Sequence, residues 1–467
     1  MRNNKYSYCN PLPLPDYPVL QDLNGPAGNG SRELADPSAI YHDGKWYLYP
    51  SCAMAYWSDD LINWQYTPLE PSEMVNYWAP TVLEYKGRFY LHASNMELYV
   101  SDSPLGPFEK LGHFRKPSGE VFLAWDPMLF ADDDGRVYLY WGCGSGGIFG
   151  VELDGNDLTQ AITDAMKLFS TDTSHEWEGG GAFNQNKRVS WTEGGWMYKE
   201  NGIYYLIYAA PNTEFPTYAL GVYKSDKPLE GFVYAKNNPF MLNRDGMIRG
   251  TGHGCIVKGP GKTRWAFYTC MVSYHDMFER RVGIDPVGID ENGDLYCLKA
   301  SEMPQMAPGA LEKPENGNGT GDVCLTAFMP RRATSEAPGR SAVYALDHNL
   351  MTWWQPAEDD NSPALTVNLT DRYTVRSARV IWNDVGLDPR AGVNAGAYGY
   401  IIEGRTPEGT VVLADMSDNT DDMIIDYIEI DETDEVSEVT LRITNAPDGI
   451  TPGVVDFSVF GFMRTTV

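Results

Sequence analysis

The sequence predicts an all-β protein, a five-bladed β-propeller followed by a β-sandwich. A strand-turn-strand pattern recurs five times in the first 300 or so residues, at a period of roughly 40 to 60 residues that is typical of propeller blades. A stretch dense in Pro, Gly and Asn follows, and after it come short alternating strands without helical periodicity, which favour a sandwich. A chain of 467 residues also exceeds the usual size of one compact domain.

Each of the five copies has an anchor residue, an apolar strand, a turn glycine and a return strand. The anchors are Asp36, Trp78, Asp126, Glu193 and His253, and the turn glycines, eight or nine residues later, are Gly44, Gly87, Gly135, Gly202 and Gly261. Asn201-Gly202 is the strongest hairpin signal among them. Because the first strand of each blade runs along the central channel, we expect the five anchors to converge at one end of the axis.

The remaining segments complete the blades and set the predicted boundaries. Residues 1–302 are predicted to form the propeller, with residues 1–30 as an extended lead-in and Arg280 to Tyr296 closing the last blade. Residues 303–322 are predicted to be a linker and 323–467 the sandwich. Second hairpins are expected at 55–67, 98–111 and 219–235, and sandwich strands at 364–370, 375–382, 398–405, 439–444 and 454–462.

Composition limits the partners and the compartment. The formal charge of −28 disfavours nucleic acid, and no apolar run is long enough to span a membrane. The first residues lack the apolar run of a signal peptide, and seven cysteines at no metal-site spacing fit free thiols in a reducing compartment. We therefore expect a cytoplasmic protein, or a secreted one if a leader has been removed; the oligomeric state is left open.

Three of the five anchors, Asp36, Asp126 and Glu193, are carboxylates. Random placement of the 64 acidic residues would seldom produce this coincidence. Glycoside hydrolysis needs one carboxylic acid to protonate the departing oxygen and one carboxylate to activate water or attack the sugar. A third carboxylate nearby helps to separate their pKa values. The anchors are thus candidate catalytic residues.

Other residues at or near the anchors are candidates for binding. Trp78 and Trp125 are candidate sugar-stacking residues, although blade packing explains each of them equally well. His253, between two glycines, is favoured as a hydrogen-bonded structural residue, with a channel cation or ordered waters as the alternative. Arg280 is a candidate for bonding sugar hydroxyls and for holding a carboxylate ionised.

Taken together, these motifs resemble glycoside hydrolase family 43 over about residues 30 to 300. Asp36 in ADPS resembles the general base of that family, Asp126 in WDP the Asp that tunes pKa, and Glu193 in TEGG the general acid. Trp78 in WAP, His253 in GHG and Arg280 also match family positions. The resemblance implies a five-bladed, inverting enzyme that requires no cofactor, with a calcium or sodium ion near His253 as an alternative.

The C-terminal part is similar to discoidin-like domains of the factor V/VIII C type, a family that includes carbohydrate-binding modules. The similarity lies in residues 342–356 and the strands that follow. Asp347 and the Thr352-Trp353 pair match family positions that hold the fold together. A structural role and sugar binding remain equal alternatives for this part.

The leading functional hypothesis is an exo-acting, inverting glycosidase that releases a terminal β-D-xylose or α-L-arabinofuranose from plant-derived oligosaccharides. One alternative is a retaining propeller enzyme of the fructosidase kind, although Leu34 to Ser38 departs from the Asn-Asp-Pro-Asn of that family. The other is a carbohydrate-binding propeller without catalysis. The sequence does not choose between xylose, arabinofuranose and galactofuranose.

Overall fold

The structure is a computed structural model that describes residues 4–19, 31–51, 54–71, 78–188, 191–272 and 277–464. The described residues are predominantly β-strands, which confirms the all-β prediction. Helical structure is limited to short 3-10 turns at Glu176–Glu178, Pro260–Lys262, Pro314–Asn316, Ala342–Ala345 and Pro389–Ala391 in these ranges. None of the helices found there is long and apolar enough to cross a membrane.

After a short strand, β1 (Ser7–Tyr8), five antiparallel sheets follow one another along the chain. The first contains β2 (Ser38–His42), β3 (Lys45–Tyr49), β4 (Met54–Ser58) and β5 (Gln65–Pro68). The second contains β6 (Thr81–Tyr85), β7 (Arg88–His92), β8 (Leu98–Ser101) and β9 (Glu109–Gly112). The third contains β10 (Met128–Ala131), β11 (Val137–Trp141), β12 (Ile148–Asp154), β13 (Asp157–Ala161) and β14 (Met166–Phe169). The fourth contains β15 (Glu193–Glu200), β16 (Ile203–Ala210), β17 (Ala219–Ser225) and β18 (Val233–Tyr234), and the fifth β19 (Gly254–Lys258), β20 (Arg264–Met271) and β21 (Arg280–Pro286).

The first strands of the five sheets form a closed ring. Contacts run from β2 to β6, β10, β15 and β19, and from β19 back to β2. This cyclic order confirms the five-bladed propeller. It also brings the strand starts, and therefore the predicted anchors, to the same end of the channel.

The fifth blade contains the first part of the segment predicted to close it, β21, and the lead-in then pairs with the edge of that strand. The backbone N–H of Leu12 donates to the Val282 carbonyl at 2.8 Å, and the Asn10 side chain pairs with both backbone groups of Ile284. β21 lies in the blade as expected. β22 (Gly288–Ile289) and β23 (Leu295–Tyr296) pair only with each other, and β24 (Gln305–Met306) pairs with β1.

The C-terminal strands form a sheet of seven in the described residues, with long bent strands that fit a β-sandwich. The strands are β25 (Val323–Cys324), β26 (Arg331–Ala333), β27 (Ala364–Val385), β28 (Gly399–Thr406), β29 (Gly409–Met416), β30 (Ile425–Asn445) and β31 (Thr451–Phe462). The register of β27 against β30 shifts between Asn368 and Val375, so the start of β27 pairs with β26 and its end with β31. The predicted strands at 364–370 and 375–382 are therefore the two halves of β27. The sequence analysis did not predict β29 or the start of β30.

The matching positions of the discoidin-like resemblance carry internal contacts. The Thr352 hydroxyl donates to Asp347 at 2.8 Å, and the buried Trp353 ring packs beneath the Arg340 guanidinium. These contacts are those of residues that stabilise a fold. The discoidin-like assignment and sugar binding by this part remain predictions.

The sandwich packs directly against the propeller. One apolar cluster includes Leu48 and Trp265 of the blades together with Trp382 and Phe457 of the sandwich. Buried arginines cross the same contact: Arg32 donates to Asp384 at 2.7 Å and also contacts Asp422, while Arg379 donates to the Asn10 carbonyl at 2.6 Å. The segment that leads to Asp36 is thus held by both parts of the chain. The predicted domain boundaries stay a prediction.

Candidate active site

The start of each inner strand has the same unusual backbone. In each blade, the residue eight or nine positions before the turn glycine has a positive φ. These residues are Asp36 (φ 50°), Ala79 (49°), Asp126 (49°), Gly194 (61°) and His253 (31°). The left-handed region is costly for residues with a Cβ, so its recurrence at one end of the ring marks a locally strained site.

Two predicted anchors are offset by one residue from these equivalent positions. Trp78 precedes Ala79, and Glu193 precedes Gly194. Glu193 is therefore not the structural counterpart of Asp36 and Asp126, although its side chain reaches the same site. A β-bulge between Glu193 and Trp196 accompanies the offset, and bulges re-aim side chains in this way.

Asp36 lies in a buried cationic environment. Its carboxylate accepts hydrogen bonds from Arg280 Nη1 at 2.8 Å and Nη2 at 3.2 Å, and from the Ser51 hydroxyl at 2.7 Å. Burial alone would raise the pKa of Asp36. The Arg280 guanidinium, with His253 and the Ser51 hydroxyl, outweighs burial and holds the pKa below its usual value. Asp36 is thus an ionised carboxylate over the neutral range.

Arg280 itself is fixed by a second acid, Glu33. The Glu33 carboxylate is inaccessible to solvent and accepts hydrogen bonds from the backbone N–H and the Nε of Arg280, each at 2.9 Å. Nη2 of Arg280 also lies 2.6 Å from Glu33, and Nη1 lies 3.3 Å from the Thr213 hydroxyl. All five N–H groups of the Arg280 side chain therefore have protein acceptors. These contacts support the predicted role of Arg280 in holding a carboxylate ionised, and its contact with substrate remains a prediction.

His253 lies between the two aspartates. Its Nδ1 is 3.4 Å from Asp36 Oδ1 and 3.8 Å from Asp126 Oδ2. The Ser94 hydroxyl is 3.2 Å from Asp126 Oδ1, and the backbone N–H of Asp126 donates to the same hydroxyl at 2.9 Å. Burial, followed by the negative charges of Glu193 and Asp36, raises the pKa of Asp126 to about 7 although His253 opposes the rise. Asp126 therefore retains its proton to a higher pH than Asp36 does.

Glu193 is oriented by three donors. Tyr218 OH donates to Oε1 at 2.5 Å, while Trp191 Nε1 at 2.6 Å and the Cys143 thiol at 3.4 Å donate to Oε2. The carboxyl group of Glu193 is buried beside Asp126, and donor atoms of Asp126, Cys143 and Glu193 lie within 4.8 Å of one another. Asp36 and Asp126 both face His253, and Glu193 lies beside Asp126, so carboxylates from three blades lie close together at one end of the channel.

Comparison with known proteins identifies the family. The sequence model of glycosyl hydrolases family 43 matches residues 26–295, which is more than half of the chain. The chain belongs to glycosyl hydrolases family 43. It is accordingly a glycoside hydrolase with an inverting mechanism and a carbohydrate substrate. This result disfavours both the retaining alternative and the binding propeller without catalysis.

The relatives of this glycoside hydrolase are distant. It is 24% identical over 329 residues to the beta-xylosidase of Xylanibacter ruminicola, a match that covers 58% of this chain and 98% of the relative. It is 26% identical over 331 residues to xylosidase/arabinosidase 43A of Humicola insolens, covering 57% and 96% respectively. A solved structure titled glycoside hydrolase, 18% identical, superposes over 93% of this chain and 100% of its own with a TM-score of 0.52, which supports the fold.

The predicted aromatic residues of the family 43 enzyme differ in exposure. Trp125, next to Asp126, has 52% of its surface exposed, as a stacking residue requires. Trp78 is partly buried with its ring 5.8 Å from Phe278, whose ring in turn lies 5.5 Å from the Arg280 guanidinium. Trp196, three residues after Glu193, donates its indole N–H to the Ile256 carbonyl at 3.1 Å and packs against the core.

In the part of the chain that the structure describes, His253 does not belong to a cluster of three or more potential metal ligands. Within the described ranges, the cluster of three or more potential ligands is Asp126, Cys143 and Glu193, and His253 is not a member. Its Nδ1 faces two carboxylates, which fits the structural interpretation. A calcium or sodium ion held through waters stays a prediction.

Several residues of the site were not predicted, and some of them had a usable signal. Ser51 and Ser94 lie two residues after their return strands, and Thr269 lies near the end of β20. Each hydroxyl accepts the backbone N–H of the positive-φ residue in the next blade of the ring, which is Ala79, Asp126 and Asp36 respectively. A hydroxyl at this point of three repeats is visible in the sequence. Tyr218, Glu33 and Cys143 have no such signal because they lie outside the aligned repeat positions.

Proposed function

We propose that this enzyme is an exo-acting inverting glycosidase that removes a terminal pentose, β-D-xylose or α-L-arabinofuranose, from plant-derived oligosaccharides. Asp36 is the general base, Glu193 the general acid, and Asp126 the residue that tunes its protonation. The observation that carries the proposal is the convergence of three buried carboxylates with unequal electrostatic surroundings.

The base assignment rests on the charge of Asp36. Inversion requires a carboxylate that removes a proton from water as the water attacks the anomeric carbon. Arg280 and His253 keep Asp36 ionised, and Glu33 keeps Arg280 aimed at it. Asp126 is unsuited to this task because its pKa of about 7 leaves it largely protonated in mildly acidic solution.

The acid assignment rests on the position and orientation of Glu193. A general acid must carry its proton to the glycosidic oxygen as the bond breaks, so its carboxyl group must be fixed in direction. Tyr218 and Trp191 hold one oxygen each. Asp126 lies beside it as a second carboxyl group that retains a proton up to about pH 7.

The choice of sugar rests on relatives. The two relatives described above are named as a xylosidase and a xylosidase/arabinosidase, and exposed Trp125 beside the carboxylates suits the apolar face of a sugar ring. Galactofuranose remains the sugar to be excluded by experiment.

The test is hydrolysis of aryl β-D-xylosides, α-L-arabinofuranosides and β-D-galactofuranosides by the wild type, Asp36→Ala and Glu193→Ala. We expect both variants to lose about three orders of magnitude or more in kcat/KM. The loss in E193A should shrink for leaving groups of low pKa, which need no proton, while the loss in D36A should not. Proton NMR of the first-formed anomer reports inversion directly.

A matched control is Asp134→Ala, in the turn that follows Asp126 in the same hairpin, which should retain activity. Near-normal hydrolysis by D36A or E193A would remove the residue assignments. Activity on the galactofuranoside alone would remove the pentose assignment while leaving the mechanism intact.

A further inference from the structure

A single thiol stands between two of the three carboxylates. Cys143 lies in the loop between β11 and β12, is partly exposed, and donates its S–H to Glu193 Oε2 at an Sγ to oxygen distance of 3.4 Å. One oxygen of Asp126 completes a triangle of donor atoms that all lie within 4.8 Å of one another.

Backbone hydrogen bonds hold the thiol in this position from both sides. The N–H of Gly142 donates to the carbonyl of Trp125, the residue before Asp126, at 2.9 Å. Gly144 exchanges two hydrogen bonds with Thr192, the residue before Glu193, at 3.0 and 3.2 Å. Position 142 requires glycine, because the Cβ of any other residue would lie 2.3 Å from the Gly147 carbonyl oxygen. The loop is therefore tied to both carboxylate-bearing segments.

The donor set matches a thiophilic divalent cation. One sulfur and two carboxylate oxygens, with an open position toward solvent, suit zinc, whereas calcium takes six to eight oxygens. Tetrahedral bonds of about 2.3 Å to sulfur and 2.0 Å to oxygen place the two atoms about 3.5 Å apart. The observed 3.4 Å lets a metal replace the thiol hydrogen with little movement of Cys143 or Glu193.

The charge of the pocket favours the same ligand. Both carboxyl groups are about nine-tenths buried, and the hydrogen bonds of the Arg280 guanidinium go to Asp36, Glu33 and Thr213. Among the residues that the structure describes, the imidazole of His253 is the cationic group in contact with Asp126, with its Nδ1 3.8 Å from Asp126 Oδ2. A dication between Asp126 and Glu193 offsets the repulsion that otherwise opposes ionisation of both carboxyl groups.

We propose that Cys143, Glu193 and Asp126 form a binding site for a thiophilic divalent cation such as zinc, and that occupation of this site inhibits hydrolysis. Binding forms metal bonds to the Cys143 sulfur and to one oxygen each of Glu193 and Asp126. It breaks the S–H bond and releases to solvent the thiol proton together with any proton carried by the two carboxyl groups, with no change of oxidation state. Only the inhibition rests on the proposed function, because a metal on the Glu193 carboxylate prevents proton delivery and obstructs the sugar.

The test uses the full-length chain without a histidine tag. Zn²⁺ is titrated against hydrolysis of the preferred aryl glycoside, and Cd²⁺ is titrated while the ultraviolet charge-transfer band of a cadmium thiolate is recorded. Each variant is compared with its own metal-free rate. We expect competitive inhibition, a rise in KM with metal concentration, and a cadmium thiolate band in the wild type. In Cys143→Ser the inhibition constant should weaken by about tenfold or more, and the band should disappear.

The matched control is Cys324→Ser, a partly exposed thiol of the sandwich, which should keep both the band and the inhibition. If C143S is poorly folded, Cys143→Ala tests the same loss without a hydroxyl. Unchanged metal inhibition in a folded Cys143 variant, or loss of the band in C324S instead, overturns the site. If the cadmium thiolate band depends on Cys143 but the metal does not slow hydrolysis, the proposed inhibition is wrong. If the enzyme hydrolyses its substrate but shows no band, the metal site is wrong and the proposed function still stands.

Discussion

The Asp126 carboxyl group should destabilise the folded enzyme increasingly as pH rises, so Asp126→Asn should become more stable than the wild type in alkaline solution. The group is 8% exposed, and burial, followed by Glu193 and Asp36, raises its pKa to about 7. In the unfolded chain its pKa returns to about 4. Between these values the folded protein binds a proton that the unfolded chain has released.

The size of the effect follows from linkage. Each unit of pKa difference corresponds to about 1.4 kcal/mol, so a rise from about 4 to about 7 costs up to about 4 kcal/mol in the free energy of unfolding. The cost is absent below pH 4, grows between pH 4 and pH 7, and is constant above. Asparagine has no charge to desolvate. The stability of D126N relative to the wild type should therefore rise across this window and then level off.

Asp36→Asn is the matched comparison, and its sign is opposite. The lowered pKa of Asp36 means that its carboxylate stabilises the folded protein above the unfolded pKa of about 4, and that this stability is lost as pH falls through the lower folded value. D36N breaks a buried pair with Arg280, so it should cost about 3 kcal/mol or more at pH 8. Denaturant melts of all three proteins from pH 3 to 9 at constant ionic strength measure both trends. A stability difference between D126N and the wild type that is flat from pH 4 to 8 would refute the electrostatic description of Asp126.

Three further predictions concern the surroundings of the site. Tyr218→Phe removes the 2.5 Å hydrogen bond to Glu193 and should lower kcat/KM by about tenfold to a hundredfold with unchanged circular dichroism; an unaltered rate would show that Tyr218 does not orient the acid. Trp125→Ala should raise KM by up to about tenfold with little change in kcat, as steady-state kinetics on oligosaccharides would show, and a fall in kcat alone would contradict a stacking role. Asp384→Ala removes one carboxylate from buried Arg32 and should lower the free energy of unfolding by about 3 kcal/mol or more in denaturant melts, whereas an undiminished midpoint would show that the propeller does not depend on this contact.

The repeat architecture was predictable because each repeat contains its own local sequence signals. Each hairpin has its own turn glycine and alternating strands, so five copies could be counted without tertiary information. Completion of the fifth blade was not predictable in this way. The partner of Val282 is Leu12, some 270 residues away and without a repeat motif, so its pairing depends on ring closure rather than on local sequence.

The sequence indicated the three carboxylates of the candidate site but not the residues that orient them. Asp36 and Asp126 stand at repeat-equivalent positions, and so their convergence followed from the fold. Glu33 lies in a segment that does not belong to the repeat. Tyr218 directly precedes β17, the third strand of its blade. Such contacts depend on which strand edges face the channel, a property that hydrophobic periodicity does not contain.

The offset of Glu193 has a steric cause that explains why the third carboxylate of the site belongs to a glutamate. At the equivalent position, Gly194, an added Cβ would lie 2.9 Å from the His253 ring, because that ring occupies the space between the blades to face both aspartates. A carboxylate at 194 is therefore incompatible with His253. The preceding residue takes its place, with a bulge to redirect it and one more methylene than aspartate to reach the pocket. The same ring that pairs with Asp36 and Asp126 thus breaks the fivefold equivalence of the channel, and that asymmetry gives the three carboxyl groups different surroundings.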